Sequence, residues 1–145
     1  MKDSEETTSR LEETLREIDN DKDADDFIAL HREASNRSFS GYYNKYIGEH
    51  HLTTADIVEN AGFGGYAYQI IDGRKNPTNR DHVLALCIAA GMTVKETDRA
   101  LRLAGHYPLD PKDERDVRIV VCINKGLDKV VDVNLELDRY NIPLL

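Results

Sequence analysis

Leu52-Thr53-Thr54-Ala55-Asp56-Ile57-Val58-Glu59-Asn60-Ala61-Gly62-Phe63 is the stretch on which the fold of this chain turns. Thr53-Thr54-Ala55-Asp56 resembles a capping arrangement, because short polar side chains placed just before an apolar run can satisfy the free amides of a helix start. Ile57, Val58 and Ala61 then recur at helical spacing, and Gly62 ends the helix. Gly64 or Gly65 opens a second short helix with Tyr68 and Ile71 as its inward residues, closed by Gly73. The reading is therefore a helix, a glycine-bearing turn and a shorter helix.

Helical signals continue on both sides. Upstream, Phe39, Tyr42, Tyr43, Tyr46 and Ile47 make a helical aromatic face ended near Gly48. Such tyrosines could stack on single-stranded bases, but their spacing favours core packing. Downstream, Asn79 caps a helix rich in Val83, Leu84, Leu86, Cys87, Ile88 and Ala90, and Gly91 stops it. Thr93-Val94-Lys95-Glu96 fits the capping box, in which hydroxyl and carboxylate satisfy amides reciprocally. Its helix carries Val94, Thr97, Leu101 and Ala104.

Beyond the rigid turn Tyr107-Pro108-Leu109-Asp110-Pro111, residues 112–125 are β-branched enough to suggest a strand. Their length, and Gly126 with Asp128 as a stop and a cap, favour a helix with Val117, Val120, Val121 and Asn124 on its face. A last helix runs from Asp128 to Tyr140 with Val130, Val133 and Leu137 inward. Asn124 and Asn134 fall on these apolar faces, where a mutual hydrogen bond would fix the register of the pair. Residues 1–37 read as two marginal helices divided at Asp19-Asn20-Asp21, with Leu11, Leu15 and Ile18 in the first and Phe27, Ile28 and Leu30 in the second.

The 145 residues carry 19 Lys/Arg against 27 Asp/Glu, a formal charge of −8. The acid is concentrated at the front: residues 1–37 hold 6 cations against 12 acids, while residues 38–107 hold 7 against 7. A chain this acidic does not coat nucleic acid, but a neutral middle with a local cation cluster can still meet phosphate. Arg74-Lys75-Asn76-Pro77-Thr78-Asn79-Arg80 is such a cluster, with three cations and no acid. No apolar run is long enough to span a membrane, and the polar front lacks the apolar core of a signal peptide. Cys87 and Cys122 sit in apolar runs and read as reduced thiols of a cytoplasmic interior.

His31, His50, His51, His82 and His106 never fall at a metal-ligand spacing with either cysteine. No serine sits in a nucleophile elbow, and no glycine-rich loop precedes a Lys-Ser/Thr pair. Asp25-Asp26 reads as a solvated helix start. No metal, cofactor or catalytic residue is expected, and an enzyme is not.

The stretch 52–63 resembles the opening of the phage-repressor-like (XRE family) helix-turn-helix domain. Ile71-Asp72-Gly73-Arg74-Lys75-Asn76-Pro77-Thr78 is similar to that family's acidic-Gly-basic-basic-Asn-Pro-Ser/Thr turn, and Ala89-Ala90-Gly91-Met92-Thr93-Val94 follows as it does in the family. The likeness covers roughly residues 39–105. More loosely, the acidic front and a tail running from Arg115-Asp116 to Leu144-Leu145 resemble XRE-type regulators.

The resemblance implies an all-α chain: an acidic helical extension (1–37), a five-helix helix-turn-helix domain (38–107) and a C-terminal helical hairpin (108–145) that packs on the domain or on a dimer partner. It also implies a cytoplasmic transcriptional regulator that binds double-stranded DNA as a homodimer, with the second helix of the motif in the major groove. The DNA-binding residues would be Thr54, Gly65, Tyr66, Gln69, Arg74, Lys75, Asn76 and Arg80. Gln69 can pair bidentately with adenine, and Arg74, Lys75 and Arg80 would hold phosphates, which gives affinity without sequence preference. Glycine side chains read no bases, so the alternative is a protein-interaction adaptor on the same scaffold, with a protein partner in place of DNA.

Overall fold

Ser38 starts the first helix: its hydroxyl accepts the Gly41 amide at 3.1 Å, one of the donors a helix start leaves free. The structure is a computed structural model and describes residues 38–145. The two helices expected within residues 1–37 lie outside the described residues.

Among the described residues seven helices and no strands form: α1 (Phe39–Glu49), α2 (Thr54–Ala61), α3 (Tyr66–Ile71), α4 (Arg80–Ala89), α5 (Val94–Leu103), α6 (Glu114–Asn124) and α7 (Val130–Arg139). Within the expected span 112–125, Glu114–Asn124 is helical despite its β-branched run, with Asp113 and Lys125 as its caps. Helix α4 is the hub. Every residue from Val83 to Ala89 is buried, as befits a helix apolar all round, and α2, α5 and α7 pack against it. Tyr43 and Tyr46 are buried, and the Tyr43 hydroxyl donates to the Leu86 carbonyl at 2.6 Å. These rings are core. Thr93 and Glu96 form the reciprocal capping box at the start of α5.

The α6 face differs from the one its valines suggest. Asp116, Ile119 and Cys122 point inward, whereas Val117 and Val121 are each 40% exposed. The reason is a charge. Asp116 takes the Arg80 guanidinium through both carboxylate oxygens, at 3.1 and 2.9 Å. An acid therefore sits on the buried ridge and Val117 and Val121 turn out, while Val120 stays partly buried against the core. Its neighbour makes the reverse connection: Arg115 donates to both oxygens of Asp81 at 2.8 and 2.9 Å. The dipeptides Arg80-Asp81 and Arg115-Asp116 are cross-paired between α4 and α6.

Helix α7 buries Val130, Val133 and Leu137 against α2, α4 and α6. Its cap position is Lys129 rather than Asp128, with no side-chain bond. Asn124 and Asn134 do not meet as partners. Asn134 instead accepts the Leu145 amide at 2.8 Å and donates to the Leu145 carbonyl at 3.3 Å, because the last residues fold back along α7.

Candidate nucleic-acid interface

Gly62 ends α2 in the left-handed region, its amide on the Val58 carbonyl. Phe63 follows, then Gly64 at φ +81, a conformation that strains any residue with a Cβ. Gly65, at φ −63 and ψ −17, leads into α3. Helix α3 is anchored by Ala67, Ile70 and Ile71, all buried. Tyr68, expected inward, is 42% exposed and Tyr66 is 39% exposed. With Ile70 as well as Ile71 taking the inward side, no room remains there for a phenol. The outward side therefore has Gly65, Gln69 and Asp72 along its centre, at spacings of four and three, with Tyr66 and Tyr68 on its flanks. Gln69 is half-buried, and Thr54, the first residue of α2, is half-buried too.

The start of α3 is propped from below. His82 of α4 lies face to face with Phe63 at 4.1 Å and 10°. The Tyr66 ring is tilted against the same imidazole at 5.8 Å. The end of α3 is clamped to α1, since Ser40 Oγ and Asn44 Nδ2 both donate to the Ile71 carbonyl, at 2.8 and 2.7 Å. Gly73 adopts φ +84, and a Cβ there would stand 3.2 Å from Ser40 Oγ. The turn after α3 is thereby held tightly to the body.

That turn presents Arg74, Lys75 and Asn76, all exposed. The Lys75 amide donates to the Gln69 carbonyl at 3.0 Å, which caps α3 and leaves the ammonium group on the surface. Arg74 folds back on Asp72: its amide donates at 3.0 Å and its Nε at 2.7 Å, while the side chain stays 66% exposed. The backbone bond from Arg74, reinforced by the guanidinium, holds the Asp72 carboxyl below its ordinary value. The Pro77 carbonyl lies 2.8 Å from His106 Nε2.

Arg80 has a different fate from its two neighbours in the cation-rich run. Its side chain is only 13% exposed. Besides Asp116 it donates to the carbonyls of Tyr107 at 3.1 Å and Pro108 at 3.2 Å, and its guanidinium lies 4.0 Å over the Tyr107 ring. Four of its five donors are spent inside the fold. Gly65, Tyr66, Gln69, Arg74, Lys75 and Asn76 thus share α3 and its turn, Thr54 opens the preceding helix, and Arg80 belongs to the seam with α6. Sequence reasoning missed Tyr68 as a surface residue and Asp116 as the partner that withdraws Arg80. The signal for the second was the repeated Arg-Asp dipeptide at 80–81 and 115–116.

Cys87 and Cys122 are both buried and free, and burial pushes the Cys87 thiol up, away from the reactive thiolate. Among the described residues no group of three or more His, Cys, Asp and Glu is placed to hold a metal ion. None of the described helices is long and apolar enough to cross a membrane. Comparison with protein-family models, with curated proteins and with solved structures found no match.

Proposed function

We propose that this chain is a DNA-binding transcriptional regulator, with α1 to α5 as a helix-turn-helix domain of the phage-repressor-like kind and α3 laid into the major groove. The observation that carries this reading is the α3 surface. A short helix clamped at both ends turns an uncovered side outward and runs directly into a turn bearing two exposed cations. Rigid placement of that kind is what a duplex needs, because phosphate contacts fix the register in which a helix meets base edges. Lys75 and Arg74 take phosphates, Gln69 reads a base, and Thr54 and Asn76 lie at the margins. Arg80 is left out of the contact set, since it is nearly buried and four of its five donors already have partners. One short helix reaches only a few base pairs, so a homodimer on a two-fold site in the cytoplasm is the matching assembly.

The test is a titration of labelled genomic DNA fragments at two salt concentrations. Binding that weakens steeply with salt, together with enrichment of particular fragments, is the expected result. No binding at the lower salt defeats the reading. A second reading, a protein-interaction adaptor, draws on Asp72, whose carboxylate stands on the outward side of α3, and on the net charge of −8. In that case the same titration is flat, and a pull-down with the full chain retains a protein partner that Gln69→Ala or Lys75→Ala releases.

A further inference from the structure

Gly64 and Gly65 are adjacent and differ in one decisive respect. Gly64, at φ +81, is where the backbone itself asks for glycine. Gly65 lies at φ −63 and ψ −17, in the right-handed region open to every residue. A Cβ built on it meets nothing within 4 Å. Neither backbone nor packing requires glycine there, and alanine would stiffen the helix start. What the missing side chain provides is access from outside the fold.

The surroundings say what is suited to that access. From Gly64 to Ile71 there is no Lys or Arg, the side chains that read guanine. The exposed side chains nearest the bare backbone are the Tyr66 and Tyr68 rings, with half-buried Phe63 below. Gln69 stands one helical turn further, about 6 Å along the axis. Its amide can both donate to and accept from one adenine edge, while the thymine beside that adenine carries the one apolar group of the major groove, its C5 methyl. The Phe63–His82 stack, with the Tyr66 ring tilted against it, forms one wall of this approach before any ligand arrives.

We infer that the opening of α3 takes the methyl-bearing edge of an A·T pair, with Gly65 at the point of closest approach and Gln69 on the adenine. This rests on the reading of α3 as a groove-entering helix. It adds the class of sequence, A·T at the contacted step, and assigns specificity to a residue with no side chain.

The experiment uses the full chain and duplexes selected from a randomised pool, read by fluorescence anisotropy. The expected result is an A·T pair at the selected step. Replacing its thymine by uracil, which removes only the methyl, weakens binding about fourfold, the worth of one buried carbon. Gly65→Ala weakens binding about tenfold, as overpacking a close contact does, while its melting temperature equals or exceeds that of the parent. Selection of G·C, indifference to uracil, or parental affinity in Gly65→Ala overturns the inference. A fall in melting temperature in Gly65→Ala overturns it as well, because the glycine is then needed internally. The underlying reading has its own control: if the parent binds duplex and Lys75→Ala flattens the salt dependence, DNA binding stands whatever Gly65→Ala does. A parent that binds no duplex at low salt removes both.

Discussion

Arg74 and Arg80 belong to one cation-rich run of seven residues, yet they end in two different kinds of place. Arg74 lies on a solvated turn beside a carboxylate that is itself exposed. Arg80 lies in a seam where its partner Asp116 is 2% exposed and two carbonyls take two more of its donors. In the turn, water screens the pair and leaves the guanidinium able to exchange partners. In the seam, both ions have given up their hydration and depend on each other. A cation on a sequence is therefore a candidate for binding only once its nearest acid has been located. The acid for Arg80 lies 36 residues away.

The largest effect expected from this contrast falls on the seam. Asp116→Ala leaves a guanidinium uncompensated in a nearly closed site and should destabilise the fold by about 3–5 kcal/mol, read by urea unfolding. Arg80→Ala should act in the same direction. An Arg80→Ala protein with parental stability and weakened DNA binding would break the comparison and return Arg80 to the turn.

Next in size, Lys75→Ala should leave unfolding unchanged. It should lower the slope of log affinity against log salt by about one, the signature of one lost phosphate contact. Asp72→Asn should do the reverse. It removes the charge opposing DNA and releases Arg74, so affinity for all duplexes should rise and the salt slope should steepen by about one. A weaker Asp72→Asn complex would instead favour the adaptor reading, in which the carboxylate is a contact.

The smallest effect is in acid. The Asp72 carboxyl is held below its ordinary value of 3.8 by Arg74, so the folded chain binds fewer protons there than the unfolded one. Its contribution to stability is present above 3.8 and is lost as pH falls through the lowered folded value. Because the pair is exposed, the loss should be slight. Comparing acid unfolding of the parent and Asp72→Asn would show it as a small difference confined to that window.

The helices were legible because their signals are local: Asn79 and Thr93 accept backbone amides at the helix starts where the sequence placed them. Thr53, expected to cap α2, holds the cap position without a side-chain bond, and Ser38 and Asp113 are caps the sequence reading did not name. Faces were legible where apolar residues outvoted everything else, as in α4 and α7. They were misread where one long-range pair decided the matter. In α6 three valines and an asparagine suggest one face, and the reach of Arg80 across to Asp116 turns Val117 and Val121 out of it, leaving Val120 partly buried against the core. Tyr68 shows the same limit at smaller scale: in a helix of six residues, one isoleucine more or less on the inward side reassigns a ring to the surface. Around α3 the sequence could name the residue types suited to DNA. It could not tell that Gly64 is bare for the backbone's sake and Gly65 is not, because that distinction is a dihedral angle.

The imidazole of His82 offers a way to watch the α3 opening directly. Lying flat against Phe63 at 4.1 Å, its ring protons sit in the shielding zone of the aromatic current and should resonate upfield of those of His51 or His106. His50, stacked on Tyr46 at 3.8 Å and 20°, should be displaced as well. Of the two shifted proton NMR lines, the His82 line is the one that Phe63→Leu moves, and its position reports the Phe63 and Tyr66 rings together. A ligand that presses on Gly65 and Tyr66 should move that line, while one that meets only the Lys75 turn should leave it in place.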